Sequence, residues 1–190
     1  MKPINNWDNV QAAGNIETLP AGAYVCEIMQ AKETKNKNSD GTHLEISFDV
    51  CDGDYKGFFQ QDWKGQDRED KFWRGIIRQN IPNEQSAKYS QQCRFFKRFT
   101  NALEDSNPGY HWDWNEAALK GKKIGVVFGE RERESQKGTV YTVTDATEII
   151  SVEDVKSGNF KVPDKKYLQK APASAGFAPL DDGDEGDVPF

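Results

Sequence analysis

The octet from His43 to Val50 (HLEISFDV) limits what this chain can fold into more than any other stretch. Leu44, Ile46, Phe48 and Val50 alternate with His43, Glu45, Ser47 and Asp49. Side chains on a strand point alternately to opposite faces, so this pattern is a strand with one face in a core and one in water. Turn residues bound it on both sides, Asp40-Gly41 before and Asp52-Gly53-Asp54 after. Upstream, Gly22 to Glu33 (GAYVCEIMQAKE) places Tyr24, Cys26 and Ile28 on one parity and Val25, Glu27 and Met29 on the other. The polar loop Thr34 to Thr42 joins the two stretches. Tyr55 to Trp63 is expected to be a third strand, which makes the first part of the chain an antiparallel meander.

Helical periodicity follows. Arg68 to Asn80 is a short candidate, stopped by Ile81-Pro82. Ser86 to Asp105 is stronger, with Tyr89, Cys93, Phe96, Phe99 and Leu103 at steps of three and four and Ser86 as a candidate cap. Lys122 to Arg131 and Thr139 to Ile150 are two further strands around the loop Glu132 to Gly138. Three strands, a helix and two strands is the order of a mainly β fold, the five-stranded Greek-key OB-fold barrel with its helix between strands three and four. The expected organisation is a lead-in over 1–20, a barrel over 21–155, a basic segment and flexible linker over 156–180, and an acidic tip over 181–190. Apolar residues make up only 36% of the 190 and mean hydropathy is −0.84, so part of the chain is expected to stay unpacked, as a disordered tail after about residue 170.

Such a barrel binds ligands on the face of strands two and three, between the loops joining strands one to two and four to five. Those loops carry Lys35 and Lys37, and Arg133 and Lys137, with Arg131 at a strand edge. Cations on both loops suit a groove that tracks phosphates, although any one of them also reads as an ordinary solvated side chain. Aromatic faces would come from Tyr55, Phe59 and Trp63, expected to share one parity, and from Tyr141; Lys56 and Lys64 lie among them. These rings either stack on bases or seal the barrel ends. His43 is expected to be exposed, and Tyr110 to Trp114 to cap the end of the long helix.

The last ten residues, Asp181-Asp182-Gly-Asp184-Glu185-Gly-Asp187-Val188-Pro189-Phe190, join an acidic run to Pro-Phe. A partner pocket can take the Phe190 ring while a cation holds the adjoining carboxylate. This tip resembles that of bacterial single-stranded DNA-binding proteins. The body, through Ala21-Gly22-Ala23-Tyr24 and Leu44 to Val50, is similar to the small single-stranded DNA-binding proteins of phages of Gram-positive bacteria. The resemblance implies non-sequence-specific coating and protection of single-stranded DNA in replication, recombination and repair. It also implies that Asp181, Asp182, Asp184, Glu185, Asp187, Val188, Pro189 and Phe190 recruit partner proteins.

Two other readings stand beside it: an interaction module or DNA mimic that binds no DNA, and a metal-dependent nuclease built on Asp54-Tyr55-Lys56 with Glu45 or Asp49. The D-x-K spacing is common and Asp52 to Asp54 reads better as a turn, so no enzyme activity, catalytic residue, metal or cofactor is expected. No apolar run spans a membrane and no leader pattern opens the chain. With three scattered cysteines this points to a reduced, cytoplasmic protein (the host cytoplasm for a phage product), free to form homo-oligomers. The net charge of −6 argues against a nucleic-acid partner only at first sight. Five of the 31 acidic residues and none of the 25 basic ones lie in the last ten positions, so the remaining 180 residues are within one charge of neutral.

Overall fold

The structure, a computed structural model, describes residues 18–36, 41–135 and 138–168. Among them, β1 (Gly22–Lys35), β2 (Thr42–Val50), β3 (Ile76–Asn80), β4 (Lys123–Glu134) and β5 (Val140–Ile150) form one antiparallel sheet in the order β3-β2-β1-β4-β5. Placing the fourth strand beside the first, outside a three-strand meander, is the Greek-key arrangement. Helix α2 (Tyr89–Ser106) connects β3 to β4. The order is that of an OB-type barrel. The ladder does not close between β3 and β5, and α2 lies along that seam.

The alternation in β2 does what its pattern requires. Leu44, Ile46, Phe48 and Val50 are buried, and Phe48 meets Phe59 and Phe128 edge-on. Cys26 and Ile28 of β1, Ile124 and Val126 of β4, and Phe99 and Leu103 of α2 complete the centre. A bulge at Met29 shifts the β1–β2 register and leaves that side chain exposed. The three cysteines are free.

Two expected elements are corrected. Tyr55 to Trp63 is not a strand: Phe58–Gly65 is helix α1. Arg68 to Asn80 is not a helix: β3 occupies its last five residues, Ile76–Asn80. Tyr55, Phe59 and Trp63 are spaced i, i+4, i+8, a helical spacing, and Asp49 holds the start of α1. Its carboxylate accepts the backbone N–H groups of Phe59 (2.9 Å) and Gln60 (3.1 Å). β3 can reach β2 because Gly75 has no side chain. Its N–H neighbour Ile76 starts the strand, while its carbonyl accepts the Phe48 N–H at 2.8 Å. His43 is also corrected: it is buried, with Nδ1 2.6 Å from the Asn36 side chain.

The ordered body extends beyond residue 155. Helix α3 (Val152–Ser157) is capped by the Ser151 hydroxyl, which accepts the Asp154 N–H at 3.0 Å. Lys166 then pairs with β4: the Glu132 N–H donates to its carbonyl at 2.8 Å and its own N–H to Glu130 at 2.9 Å. Gly129 makes room for Pro163 there, since a Cβ would run into the proline ring. This covers the part of β4 that extends past β1. The rest of the expected linker, from 169, and the expected disorder after 170 lie outside the described residues.

Hydrogen bonds from Ser151 and Asn159 hold the Asp154 carboxyl below its ordinary value. An acid depressed in the folded state contributes stability that is full above its unfolded pKa and lost as pH falls through the folded one. We therefore expect the protection of amides over 152–159, relative to their intrinsic exchange at the same pH, to fall on acidification below the usual carboxylate range before that of the barrel amides falls. Uniform protection down to global unfolding would contradict the cap.

Candidate nucleic-acid interface

Asp49 fixes where the site begins. Besides capping α1 it accepts the Val50 N–H at 2.8 Å, and burial of the carboxyl raises its pKa against the pull of those three donors. With the helix start fixed, Phe59 turns into the core and Trp63, one turn on, is 41% exposed.

The segment from Gln66 to Arg74 folds back over α1. The Gln66 side chain pairs with the backbone of Phe72 like a strand neighbour, accepting its N–H at 3.1 Å and donating to its carbonyl at 2.9 Å. The Trp73 indole N–H donates to the Phe48 and Gly75 carbonyls at 3.1 and 3.2 Å, tying the segment to β2 and β3. Between these ties Phe72 stands 46% exposed.

Both rings carry cations. Lys71 Nζ lies 5.4 Å from the Trp63 ring centre and donates to the Lys64 carbonyl at 3.1 Å. The guanidiniums of Arg68 and Arg74 lie 5.1 and 5.3 Å from the Phe72 ring centre. Arg68 is held by Asp70 at 2.9 Å and Arg74 by Asp62 at 3.0 Å. The Arg68 pair holds the Asp70 carboxyl below its ordinary value. Arg68–Asp70 is an exposed pair of small net energy, so Arg68 can exchange its carboxylate for a phosphate at little cost, whereas Asp62 is mostly covered and keeps a hydrogen bond from the Gln66 side chain at 3.1 Å when Arg74 turns away. The result is two exposed rings framed by three cations, with exposed Lys64 beside them.

The other expected site residues divide. Tyr55 is half-buried, edge-on to Tyr24 at 5.6 Å and near Phe58, so only part of its ring faces solvent. Phe59 is 6% exposed and stacked on Phe128; it is a core residue and presents no face to a base. The shared strand parity that joined Tyr55, Phe59 and Trp63 does not exist, because α1 replaces the strand. Lys56 is exposed in the turn ahead of α1, and Lys35 is exposed at the end of β1. Arg131 and Arg133 are in β4 and not in a loop, and both reach Asp145, at 3.5 and 2.9 Å. Tyr141, Arg133's partner in register, is 46% exposed. Lys37, Lys137 and the tip residues 181–190 lie outside the described residues.

The outer face of β1, β2 and β3 is polar where they pair. Lys32, Glu45 and Arg78 form one cross-strand row, with Arg78 on Glu45 at 2.9 Å. The exposed pair of rings therefore comes from α1 and the following loop, and not from the strands. The sequence analysis assigns Phe72, Lys71, Arg68 and Arg74 no site role; the run Arg68 to Arg74, three cations around two adjoining rings, is the available signal. Of the carboxylates suggested for a metal, Glu45 is on Arg78 and Asp49 on backbone N–H groups, while Asp54 is exposed in the turn before α1. Among the described residues no group of three His, Cys, Asp or Glu side chains is arranged to hold a metal ion. Tyr110 to Trp114 folds back along α2 and does not cap its end: Trp112 packs on Phe96 and Phe99, in the middle of the helix, and Trp114 stacks parallel to Phe96, while the Asn107 side chain holds the end by donating to the Leu103 carbonyl at 2.8 Å. No described helix is long and apolar enough to cross a membrane. No family model matches the chain, and neither does any curated protein.

Proposed function

We propose that the chain binds single-stranded DNA without sequence preference, and that its acidic tip recruits replication and recombination proteins. The observation that carries this reading is the pair of exposed rings, Trp63 and Phe72, each overlaid by lysine or arginine, at the end of the β2–β3 face. Every base has a π-face, so stacking between aromatic rings and cations tolerates any sequence. The mechanism is passive. Bases stack on Trp63 and Phe72, the guanidiniums leave Asp62 and Asp70 for phosphates, and the strand is kept out of secondary structure.

Anisotropy of labelled dT oligomers tests it. Single strands of mixed sequence are expected to compete well and duplexes of equal length poorly; equal competition by duplex overturns the reading. Deleting Asp187 to Phe190 is expected to leave dT binding intact or tighter, because tail acids compete with phosphates for the same cations. The same deletion should abolish retention of host replication proteins. Weaker DNA binding by the shortened chain would contradict this role for the tip.

A further inference from the structure

We propose that a single strand leaving the outer face of β3 continues along the groove between α2 and β5, on a second track of cations. This rests on the single-stranded DNA reading and extends it to a face that the OB-type comparison does not predict. Two adjoining cavities of about 340 and 450 Å³ lie along the seam that the sheet leaves open. They share Arg98 and Ile149, so they form one groove.

Its α2 wall is cationic for a reason legible in the helix. Arg94, Lys97 and Arg98 are spaced i, i+3, i+4, so they stand on one face, and all three are exposed. Ala102 and Ile149 form an apolar floor below them. Phe95, 54% exposed, lies in the first cavity beside Arg98 and offers a face for a base. Arg98 is held by Glu148 across the groove, whereas Arg94 and Lys97 form no ion pair among the described residues, although the charge of Lys97 acts on Glu104 from further off.

Two features set where the track begins and where it ends. Arg78 lines the first cavity and also belongs to the Lys32–Glu45–Arg78 row, so the groove continues the outer face. At the far end Asp105 and Asp154 line the second cavity and repel phosphate. From Gln92 to Asp105 the helix runs ~20 Å, which sets the length of the track.

The test compares dT8, dT16 and dT30 on the full chain and on Arg94→Glu/Lys97→Glu. Both positions are exposed, and a melting curve checks the fold; Arg94→Gln/Lys97→Gln is the milder second variant. The expected result is unchanged affinity for dT8. The gain from dT8 to dT30 should fall about tenfold. The log–log salt slope for dT30 should become shallower by about 1.4, the value for two lost phosphate contacts on a single strand. An unchanged gain and slope overturn the track while leaving the DNA reading intact. If a glutamate decapeptide loses binding in the variants and dT30 does not, the groove belongs to an acidic protein segment, and the proposal is wrong. Failure of the unaltered chain to bind any oligomer overturns the DNA reading itself, and the track with it.

Discussion

Replacing Trp63 and Phe72 together by alanine is expected to weaken dT binding by about 30-fold or more while the melting temperature barely moves. A base stacked on an aromatic side chain contributes ~1–3 kcal/mol by alanine substitution. Two rings at the lower limit give ~2 kcal/mol, and each 1.4 kcal/mol is tenfold in affinity. Both rings are more than two-fifths exposed, so little packing is lost with them. The removal acts twice, because Lys71, Arg68 and Arg74 lose the surfaces that hold them near the strand. Phe59→Ala is the contrasting variant. Its ring sits between Phe48 and Phe128, so it should cost ~3–5 kcal/mol of stability as a buried aromatic truncation. Calorimetry together with oligonucleotide titration separates the two cases. A loss below about twofold in the Trp63/Phe72 variant, with the fold intact, would remove the stacking surface from the account.

Gly75→Ala is expected to be among the most damaging single-methyl changes in the chain. The added Cβ would lie 2.8 Å from ring carbons of Phe59 and closer still to the Phe48 carbonyl oxygen. Backbone stands on one side and a core ring on the other, so neither neighbour can give way cheaply. Overpacking costs ~1–3 kcal/mol where side chains repack, and more where the backbone must move. Here the Phe48 N–H bond to Gly75 and the Trp73 indole bonds are disturbed together. For a chain of this size ~3 kcal/mol lowers Tm by roughly 6–12 °C. Gly65→Ala is the control, since a Cβ there meets nothing within 4 Å. If Gly75→Ala melts with the unaltered protein, β3 does not pair with β2 in this register.

The sequence was most legible where one face meets water. β2 could be read from Leu44 to Val50 because Leu44, Ile46, Phe48 and Val50 alternate with less buried residues, and only His43, buried against Asn36 at the strand's start, broke the pattern. α2 was found for the same reason and β4 as a short apolar run buried on both faces, and the ends of α2, β4 and β5 are displaced by at most three residues. The third strand was misplaced because aromatic density between Tyr55 and Trp63 looks like β propensity, while the cap that makes it a helix comes from Asp49, ten residues before Phe59. β3 is only five residues long and its pairing depends on a close backbone approach at Gly75, which no periodicity encodes. The same error hid half of the site. Strand parity placed Phe59 beside Trp63 on an outer face, whereas helical geometry buries the first and exposes the second. Phe72 becomes a surface ring only through the Gln66 clamp, a contact between a side chain and a backbone six residues away.

The charge follows the same logic. The described arginines other than Arg94 pair with an acid, as with Arg131 and Arg133 on Asp145, and the 180 residues before the tip are within one charge of neutral, so affinity rests on particular side chains and not on a broad basic field. That makes salt dependence the informative quantity. The most direct measurement is the tryptophan fluorescence of the full chain as dT oligomers are added at increasing salt. The account predicts a change on binding, with log Kobs falling linearly against log salt at a slope of about −3 for about four phosphate contacts. Fluorescence that stays flat at the lowest salt, with no oligomer bound, would contradict it.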